Sequence, residues 1–360
     1  MIYSILLAIL LISLVLLLVW QLLRWLPAGA DKLKPLPYVI ALLPIAPFCA
    51  GFGLIASAVA AVATRSQNEF YKYYVFLCVA YALLFLISLK SYSPYFAKRL
   101  MRIKQEKSLE SSLEKSLEKS LEIRVMTLNC RYGRANASQI IKLAKTHKID
   151  TILLQEVSKK LVKNLEKLGI KHDFAHVQLG SANGHENGGF NAIYTRLSNV
   201  KSFGKSIKID AANVPIVTAV TCDSSAENLL ITFASAHPKS PMRGCAAWSN
   251  GIMALAKIGE NHNENNVKDV KKVTIIGGDL NSTPDHPSFR ALLKSGFFDA
   301  SMQIGKRLKT WPTWQKWPNL ALDHVLVKST GCSVIATEQH AIRVDGSDHF
   351  ALIVCVSLPL

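Results

Sequence analysis

Apolar residues are concentrated in three stretches near the amino terminus of the chain. They span Ile2–Leu23, Leu36–Ala63 and Tyr73–Leu89, and each is long enough to cross a bilayer as a helix. Three prolines inside the second stretch predict that it is kinked or re-entrant, because proline interrupts helical hydrogen bonding. The pattern therefore predicts a transmembrane region of about three spans over residues 1–90.

A linker of different composition follows, over residues 91–122. Its first part is basic, and its second part is a tandem repeat (KSLE, SSLE, KSLE, KSLE) that runs from Lys107 to Glu122. Leucines at every fourth position come close to the helical period and are compatible with a helical stalk. A disordered linker produced by repeat expansion fits nearly as well, so we attach no chemistry to this segment.

From Ile123 onward, short β-branched runs alternate with helical patterns. The predicted strands are Ile123–Asn129, Thr151–Glu156, Val214–Thr221, Leu229–Ser235, Val273–Gly277, Ala321–Val327 and Ala351–Val356. The predicted helices are Ala137–His147, Ser158–Leu168, Cys245–Ile258 and His286–Leu293. Many of these strands follow one another without a helix between them, which favours antiparallel hairpins. Residues 123–360 are therefore expected to form an α+β domain, with two packed, mostly antiparallel sheets flanked by helices in an α/β/β/α sandwich.

The composition narrows the classes of partner. A net charge of +17 favours an anionic partner, either a lipid surface or a nucleic acid. The lysines are scattered rather than grouped with aromatic residues, so we favour the lipid surface and keep nucleic acid as the alternative. The seven cysteines include no CxxC pair, which indicates neither a zinc site nor a disulfide framework.

Short polar groups of residues lie on or beside the predicted strands and carry the candidate chemistry. They are Asn129, Glu156, His237, Asp279 with Asn281, Asp323, and Asp348 with His349. A hard divalent cation such as Mg²⁺ takes oxygen ligands, and the Glu156 carboxylate and Asn129 amide can supply them, with Asp348 able to contact the metal through water. Taken alone, Glu156 also fits a surface strand end and Asn129 also fits a turn.

Asp279 and Asn281 follow a buried strand and two glycines, Gly277 and Gly278, which allow close approach of the backbone. Strand alternation places the two polar side chains on one side of the chain. Asp279 could position or deprotonate a water molecule. Asn281 could donate a hydrogen bond to the charge that grows on phosphoryl oxygens. Asn281 also fits the cap of the helix that follows, and the two roles are compatible.

Asp323 and His349 form a candidate carboxylate–imidazole pair. The carboxylate would fix the tautomer, so that His349 serves as a base or as a charged phosphate clamp. His237 follows an apolar strand and suits contact with a phosphate. His324 would point to the opposite strand face from Asp323, so we interpret it as structural.

These residues, in this order, resemble the endonuclease/exonuclease/phosphatase (DNase I-like) superfamily over about residues 123–357. The motifs that carry the resemblance are QE at 155–156, GDLN at 278–281, LDHV at 322–325, SDHF at 347–350 and the stretch Asn191–Arg196. The resemblance implies that Asn129 and Glu156 bind Mg²⁺ or Mn²⁺ and that His237 contacts the phosphate. Some members place an acidic residue where this chain has Arg131, so the resemblance supplies no second metal contact on that side.

The three apolar stretches, together with His237-Pro238 and a Trp311–Trp314 segment, look like a membrane-anchored actinobacterial branch that includes teicoplanin-resistance proteins. That branch implies action on lipid-linked phosphates outside the cell. The same tryptophan segment also fits plain core packing. We expect a multi-pass cell-membrane phosphoesterase that acts on a phosphorylated, lipid-linked substrate, with nuclease activity and a non-catalytic membrane-binding module as alternatives. Lys/Arg counts at the span ends favour a cytoplasmic catalytic domain, whereas a lipid-linked envelope substrate favours the extracytoplasmic side, to which we assign it.

Overall fold

The computed structural model describes residues 2–66, 68–96, 120–181, 189–202, 206–222, 228–259, 271–315 and 319–359. Most of the KSLE repeat lies outside the described residues. Its last three residues, from Ser120 to Glu122, begin the first strand, so that strand starts earlier than the predicted Ile123.

The apolar amino-terminal region is helical. Its α-helices are α1 (Ile2–Leu22), α2 (Leu36–Ala41), α3 (Ala46–Ala63) and α4 (Asn68–Ser88). Within the described residues, three helical segments are long and apolar enough to cross a membrane: Ile2–Trp25, Leu36–Ala63 and Glu69–Ser91. The second is interrupted by a 3₁₀ turn at Leu43–Ile45, which agrees with the prediction of a kinked or re-entrant segment.

Aromatic side chains hold these helices together. The Tyr81 hydroxyl of α4 donates to the Leu10 carbonyl of α1 at 2.8 Å, and the Tyr74 hydroxyl donates to the Tyr3 carbonyl at 2.6 Å. Gly53 of α3 lies directly under the Tyr81 ring, where a Cβ atom would come within 2.2 Å of it. A small residue at this point lets α3 and α4 pack closely, as is usual between membrane helices.

The remainder of the chain forms the predicted α+β domain. Its strands are β1 (Ser120–Asn129), β2 (Thr151–Val157), β3 (His176–Leu179), β4 (Phe190–Thr195), β5 (Val200–Ser202), β6 (Ile216–Cys222), β7 (Asn228–Ser235), β8 (Lys271–Asp279), β9 (Phe298–Asp299), β10 (Asp323–Thr330), β11 (Ile335–Arg343) and β12 (Phe350–Pro359). Its α-helices are α5 (Ala137–Thr146), α6 (Lys159–Lys167), α7 (Ile170–Asp173), α8 (Cys245–Ala254), α9 (Pro287–Lys294) and α10 (Ala300–Ile304). Further 3₁₀ turns are Leu23–Trp25, Ala30–Lys32, Leu89–Ser91, Pro241–Arg243 and Leu255–Gly259.

Each predicted strand and helix has an observed counterpart whose ends differ by a few residues. The described strands form two mixed sheets, in the orders β11-β12-β1-β2-β4-β3 and β5-β6-β7-β8-β10-β9. The pairs β1–β2 and β7–β8 are parallel and the others are antiparallel, so the prediction of two mostly antiparallel sheets is confirmed.

Three apolar clusters define the layers of the sandwich. The facing sides of the two sheets meet in one cluster, which includes Val125 and Leu153 from one sheet and Phe233 and Ile275 from the other. A second cluster packs α5 and α6 against the outer side of the first sheet. A third packs α8 and α9 against the outer side of the second sheet, around Trp248. The order of layers is therefore helix, sheet, sheet, helix, as the pattern predicted.

The loop between the first two candidate membrane spans docks onto the α+β domain through a buried carboxylate. Asp31 is fully buried and accepts hydrogen bonds from the Ser288 backbone amide at 3.0 Å and from the hydroxyls of Ser288 and Ser249. At the start of α2, the Pro37 carbonyl is 2.9 Å from the His286 imidazole. Because an unpaired buried carboxylate is costly, these contacts fix the start of α2 against the domain.

Two glycines near the end of β8 let that strand approach its neighbours. A Cβ atom at Gly278 would lie 1.8 Å from the carbonyl oxygen of Ala236, the residue that follows the neighbouring strand β7. A Cβ atom at Gly277 would lie 2.5 Å from Leu153 of the facing sheet. Backbone atoms cannot yield as a flexible side chain can, so Gly278 is required by the space available.

We expect Gly278→Ala to lower the free energy of unfolding by about 1–3 kcal/mol, since overpacking forces a backbone shift. The midpoint of thermal unfolding measures this. Gly251→Ala is the matched control, because a Cβ atom on this α8 residue meets its neighbours at 3.4 Å or more. Equal midpoints for the two variants would contradict the close approach of β8.

Candidate active site

The sheet topology brings the predicted polar residues to one edge of the sandwich. The parallel strands β1 and β2 end at Asn129 and beside Glu156, and β8 ends at Asp279. The antiparallel strand β10 begins at Asp323, directly opposite Asp279 in the register. His237 follows β7, and His349 precedes β12. Strand ends from both sheets therefore meet around one point.

A cavity of about 480 Å³ opens at this edge. Seven of the eight predicted residues line it: Asn129, Glu156, His237, Asp279, Asn281, Asp348 and His349. The eighth, Asp323, contacts His349 from the protein side. The predicted residues are thus brought together.

Glu156 is held in the cavity by a local irregularity of β2. The residue has a φ of +51°, and the pairing of β2 with β4 shifts between Leu154 and Val157. Such a bulge re-aims a side chain. The Glu156 carboxylate accepts from the Tyr132 backbone amide at 2.9 Å and from the Asn129 amide at 3.3 Å. Burial raises the pKa of Glu156, those two hydrogen bonds offset part of the rise, and the Asp279 carboxylate adds to it.

Asp279 occupies the centre of the site. One carboxylate oxygen accepts from the Asn281 backbone amide at 2.9 Å. The other accepts from the Asn129 side chain at 3.0 Å and lies 3.6 Å from His237 Nε2 and 3.5 Å from His349 Nε2. Its position between two imidazoles suits it to hold a water molecule and receive its proton.

His349 is paired with Asp323, as the sequence predicted. Its Nδ1 lies 2.8 Å from the Asp323 carboxylate, and both residues are buried. Burial alone would lower the pKa of His349, but the carboxylates of Asp323 and Asp279 outweigh it and raise the pKa to about 10. Of the two roles that the sequence left open, a protonated clamp or proton donor is therefore favoured over a base.

His237 has the opposite electrostatic character. Burial lowers its pKa, and the Asp279 carboxylate opposes the shift without cancelling it. A neutral imidazole at this position can make a hydrogen bond to a phosphoryl oxygen without adding charge. Asn281, which has a φ of +49°, directs its side-chain amide toward the Pro238 carbonyl at 3.5 Å, on the same wall of the cavity.

Asp348 lies at the rim and has local partners. Its carboxylate is 3.9 Å from Arg131 Nε and accepts from the Trp311 indole at 3.4 Å. Arg131, which stands where some family members have an acidic residue, thus faces Asp348, the carboxylate predicted to contact a metal through water. That role of Asp348 stays a prediction.

The family model for the endonuclease/exonuclease/phosphatase family matches residues 126–349. The chain belongs to this family.

No curated protein matches it in sequence. Similar solved structures include D. rerio TDP2 complexed with single-strand DNA product (17% identity, 65% of this chain and 98% of that chain, TM-score 0.48) and a mannosyl-6-phosphatase of Bacteroides thetaiotaomicron (17% identity, 66% and 100%, TM-score 0.45). The catalytic domain of human Nocturnin is a third (17% identity, 66% and 93%, TM-score 0.46). Resemblance to the membrane-anchored teicoplanin-resistance branch stays a prediction.

Members of the endonuclease/exonuclease/phosphatase family are hydrolases of phosphate esters and typically depend on divalent metals. The residues of this chain fit such an ion. Asp279 and Asp323 are buried, Glu156 is half-buried beside them, and one oxygen of Asp323 has no hydrogen-bond partner among the described residues. A divalent cation would relieve the cost of burying these anions together.

Two sets of residues could hold the cation. Among the described residues, Asp279, Asp323 and His349 have ligand atoms within 4.8 Å of one another. In that group, His349 Nδ1 and one carboxylate oxygen of Asp323 are engaged with each other at 2.8 Å. We therefore interpret that group as a proton-handling cluster. The Glu156 carboxylate remains the better oxygen ligand for Mg²⁺ or Mn²⁺. The Asn129 side chain turns its nitrogen toward Glu156 and Asp279 and its oxygen toward the Arg131 backbone amide.

Sequence reasoning missed several residues around the cavity. Tyr132 and Arg243 meet at its rim, where an Arg243 nitrogen donates to the Tyr132 hydroxyl at 2.7 Å. Neither lies in a motif, because the contact joins two loops that are 111 residues apart. His324 lies outside the cavity, between Asp299 and the Ser282 carbonyl, in agreement with its structural interpretation.

We expect Asp323→Asn to disable the site without disturbing its shape. The variant removes the anion that raises the pKa of His349, so we expect hydrolysis to fall by about 10²- to 10⁴-fold. Because the pKa of His349 is raised from 6.5 to about 10, the pair stabilises the fold fully below about pH 6.5 and loses this contribution as the pH rises through 10. The gap in thermal midpoint between parent and variant should therefore be wide at pH 6.5 and narrow above pH 10. A gap that does not change with pH would show that His349 is neutral in the fold.

Proposed function

We propose that this protein is a membrane-anchored, metal-dependent phosphoesterase that hydrolyses the phosphate or pyrophosphate of a lipid-linked substrate. The observation that carries the proposal is the origin of one wall of the catalytic cavity. Pro37, Tyr38, Ala41 and Leu42 line it, and all four lie at the start of the second candidate membrane span.

The membrane segment is fastened where it borders the site. The Tyr38 hydroxyl donates to the Pro241 carbonyl at 2.9 Å, and Pro241 lines the same cavity. The buried Asp31 contacts hold the preceding loop against the α+β domain. The wall is therefore part of the site, which supports a substrate that arrives from the membrane side.

The cavity has two chemically different sides. Glu156, Asp279 and His349 supply charge at its floor, whereas Ala41, Leu42 and Met242 lie on apolar surface above. Met242 is 79% exposed and Leu42 is 40% exposed, so their hydrocarbon groups are available for contact. An amphiphile with a phosphate next to a hydrocarbon chain matches both sides, and a wholly polar phosphate leaves the apolar side unused.

The residues take roles that follow from their contacts. Asp279 orients a water molecule for in-line attack on phosphorus and accepts its proton as the P–O bond to the leaving group breaks. Protonated His349, held by Asp323, donates a hydrogen bond or proton to the oxygen that gains charge. His237 and Asn281 donate hydrogen bonds to the other phosphoryl oxygens.

A divalent cation held by Glu156, beside Asn129, would supply positive charge that polarises the phosphoryl group. Burial raises the pKa of Glu156. A bound cation would act in the opposite direction, because it favours the ionised form of the carboxylate.

Nuclease activity is the alternative, and the positive charge of the protein favours it. Arg131 and Arg243 lie at the rim of the cavity, and the chain carries a net charge of +17. Basic rim residues suit a phosphodiester backbone as well as a lipid phosphate. The membrane-derived wall is what favours the lipid substrate.

The side of the membrane on which the site lies is also part of the proposal. We retain the extracytoplasmic placement, because a lipid-linked envelope substrate explains the tether. The Lys/Arg distribution favours the cytoplasm. One cation in that count, Arg24, lies 3.7 Å from the Asp285 carboxylate, which offsets its charge. The excess of Lys/Arg on the catalytic side is therefore smaller than the count suggests.

Purified full-length protein should release phosphate from a long-chain lipid phosphate or pyrophosphate in the presence of Mg²⁺ or Mn²⁺. We expect chelation to abolish the activity, and Asp279→Asn to lower it by at least about 10²-fold, since the residue that receives the water proton is lost. A phosphate-release assay across lipid phosphates, nucleotides and DNA measures both effects. Hydrolysis of DNA alone, with a steep salt dependence, would favour the nuclease, and equal low turnover by parent and variant would favour a binding module.

The apolar wall predicts a selective effect of Leu42→Ser. We expect kcat/KM for a long-chain lipid phosphate to fall about tenfold, because roughly 1.4 kcal/mol of apolar contact is lost, while a short water-soluble aryl phosphate is hydrolysed as before. Leu33→Ser is the matched control, since Leu33 is 59% exposed on the preceding loop and does not line the cavity. An equal decline for both substrates would mean that Leu42 acts on the site and not on the lipid chain.

A further inference from the structure

We propose that a second cavity, between the membrane helices and the α+β domain, binds the phosphate group of an anionic phospholipid. This interface cavity has a volume of about 410 Å³ and lies apart from the catalytic one. Its membrane-side residues include Arg24, Trp25 and Lys90, and its domain-side residues include Arg290 and Lys294.

The interface cavity is strongly cationic. Four of its described lining residues carry positive charge (Arg24, Lys90, Arg290 and Lys294), and Asp285 is the one carboxylate among them. Asp285 lies 3.7 Å from Arg24 and neutralises one charge at most. The remaining excess of positive charge, concentrated in a concave site, attracts an anion.

Arg24 supplies the observation that points to a ligand. The residue is 4% exposed, yet its Nε and Nη1 atoms have no hydrogen-bond partner among the described residues. Its Nη2 donates to the Ser91 hydroxyl at 2.8 Å. Leaving two guanidinium donors buried and unpaired is costly, and a phosphate oxygen can accept from such donors in the bidentate geometry that arginine favours.

Neighbouring contacts hold the cavity in place. One nitrogen of Arg290 donates to the Asp285 carbonyl, and another donates to the Arg24 carbonyl at the end of the first membrane span. The guanidinium of Arg290 thus bridges the domain and the span, while Lys90 and Lys294 are exposed at the cavity mouth. The cavity is therefore built from both parts of the chain.

The position of the cavity favours a lipid over a free phosphate. Arg24 and Trp25 end the first candidate span, and Lys90 belongs to the end of the third. Trp25 is 55% exposed, as is typical of tryptophan at the level of the lipid headgroups. Basic pockets at this depth bind anionic headgroups in membrane proteins.

The test uses the exposed cations and leaves Arg24 in place, so that the fold is retained. Short-chain phosphatidylglycerol is titrated into the detergent-solubilised full-length protein, and the thermal unfolding midpoint is followed; phosphatidylcholine and inorganic phosphate are the comparison ligands. Of the three ligands, we expect only phosphatidylglycerol to raise the thermal unfolding midpoint of the parent protein. In Lys90→Gln/Lys294→Gln the apparent affinity should fall roughly 10- to 30-fold.

The matched control is Lys32→Gln/Lys34→Gln. It removes two exposed lysines from the loop that follows the first candidate span, and neither lysine lines the interface cavity. This control should respond to phosphatidylglycerol as the parent does. Equal weakening in both double variants would reduce the effect to general charge attraction, and an equal midpoint shift with inorganic phosphate would identify a free-anion site; either result would overturn the lipid proposal. Because the measurement is of binding, its outcome does not depend on whether the catalytic cavity hydrolyses phosphate esters.

Discussion

The convergence of several carboxylates at one edge of the sandwich governs the rest of the site. Glu156, Asp279 and Asp323 meet where strand ends from two sheets come together, and a buried carboxylate needs compensation from hydrogen-bond donors or positive charge. The fold provides part of it through the imidazolium of His349 and the amide of Asn129, which donates to both Glu156 and Asp279. A divalent cation would provide the rest. The same group of carboxylates that is costly to bury is the feature from which we propose a metal and phosphate site.

A second set of contacts joins this site to the apolar amino-terminal helices. The second candidate span begins as a wall of the catalytic cavity, and Asp31 fixes the loop that precedes it through Ser288 and Ser249. Arg24 and Arg290 form a further bridge nearby. The apolar helices therefore take part in shaping the site in addition to any role in anchoring it. This arrangement explains how one cavity presents charge on its floor and hydrocarbon on its wall.

Much of the fold was predictable because its strong strands are buried and therefore read as apolar runs. The polar residues at their ends were predictable for a related reason. A carboxylate or imidazole directly after a buried strand, such as Asp279 after Ile275 and Ile276, stands out from its surroundings. Strand β11 was not predicted, because it lies at a sheet edge, has polar residues on its exposed face and is interrupted by a bulge between Ala336 and Glu338.

The sequence pattern also did not predict the cavity wall formed by the second candidate span or the pairing of Arg131 with Asp348. Contacts such as Tyr38 with Pro241 join segments about 200 residues apart, and no local periodicity encodes them. The bulge that turns Glu156 into the cavity is similar, since regular strand alternation does not reveal it. The pattern thus identified which groups carry the chemistry, whereas their environment came from tertiary packing.

The position of a bound metal ion would show whether the carboxylates form a cation site. Crystals of the full chain grown with Mn²⁺ would show, by anomalous scattering, where the ion lies. We expect a single strong peak at coordination distance from the Glu156 carboxylate, beside Asn129, and its loss in Glu156→Gln. A peak held instead by Asp323 and His349, or none at saturating Mn²⁺, would contradict it.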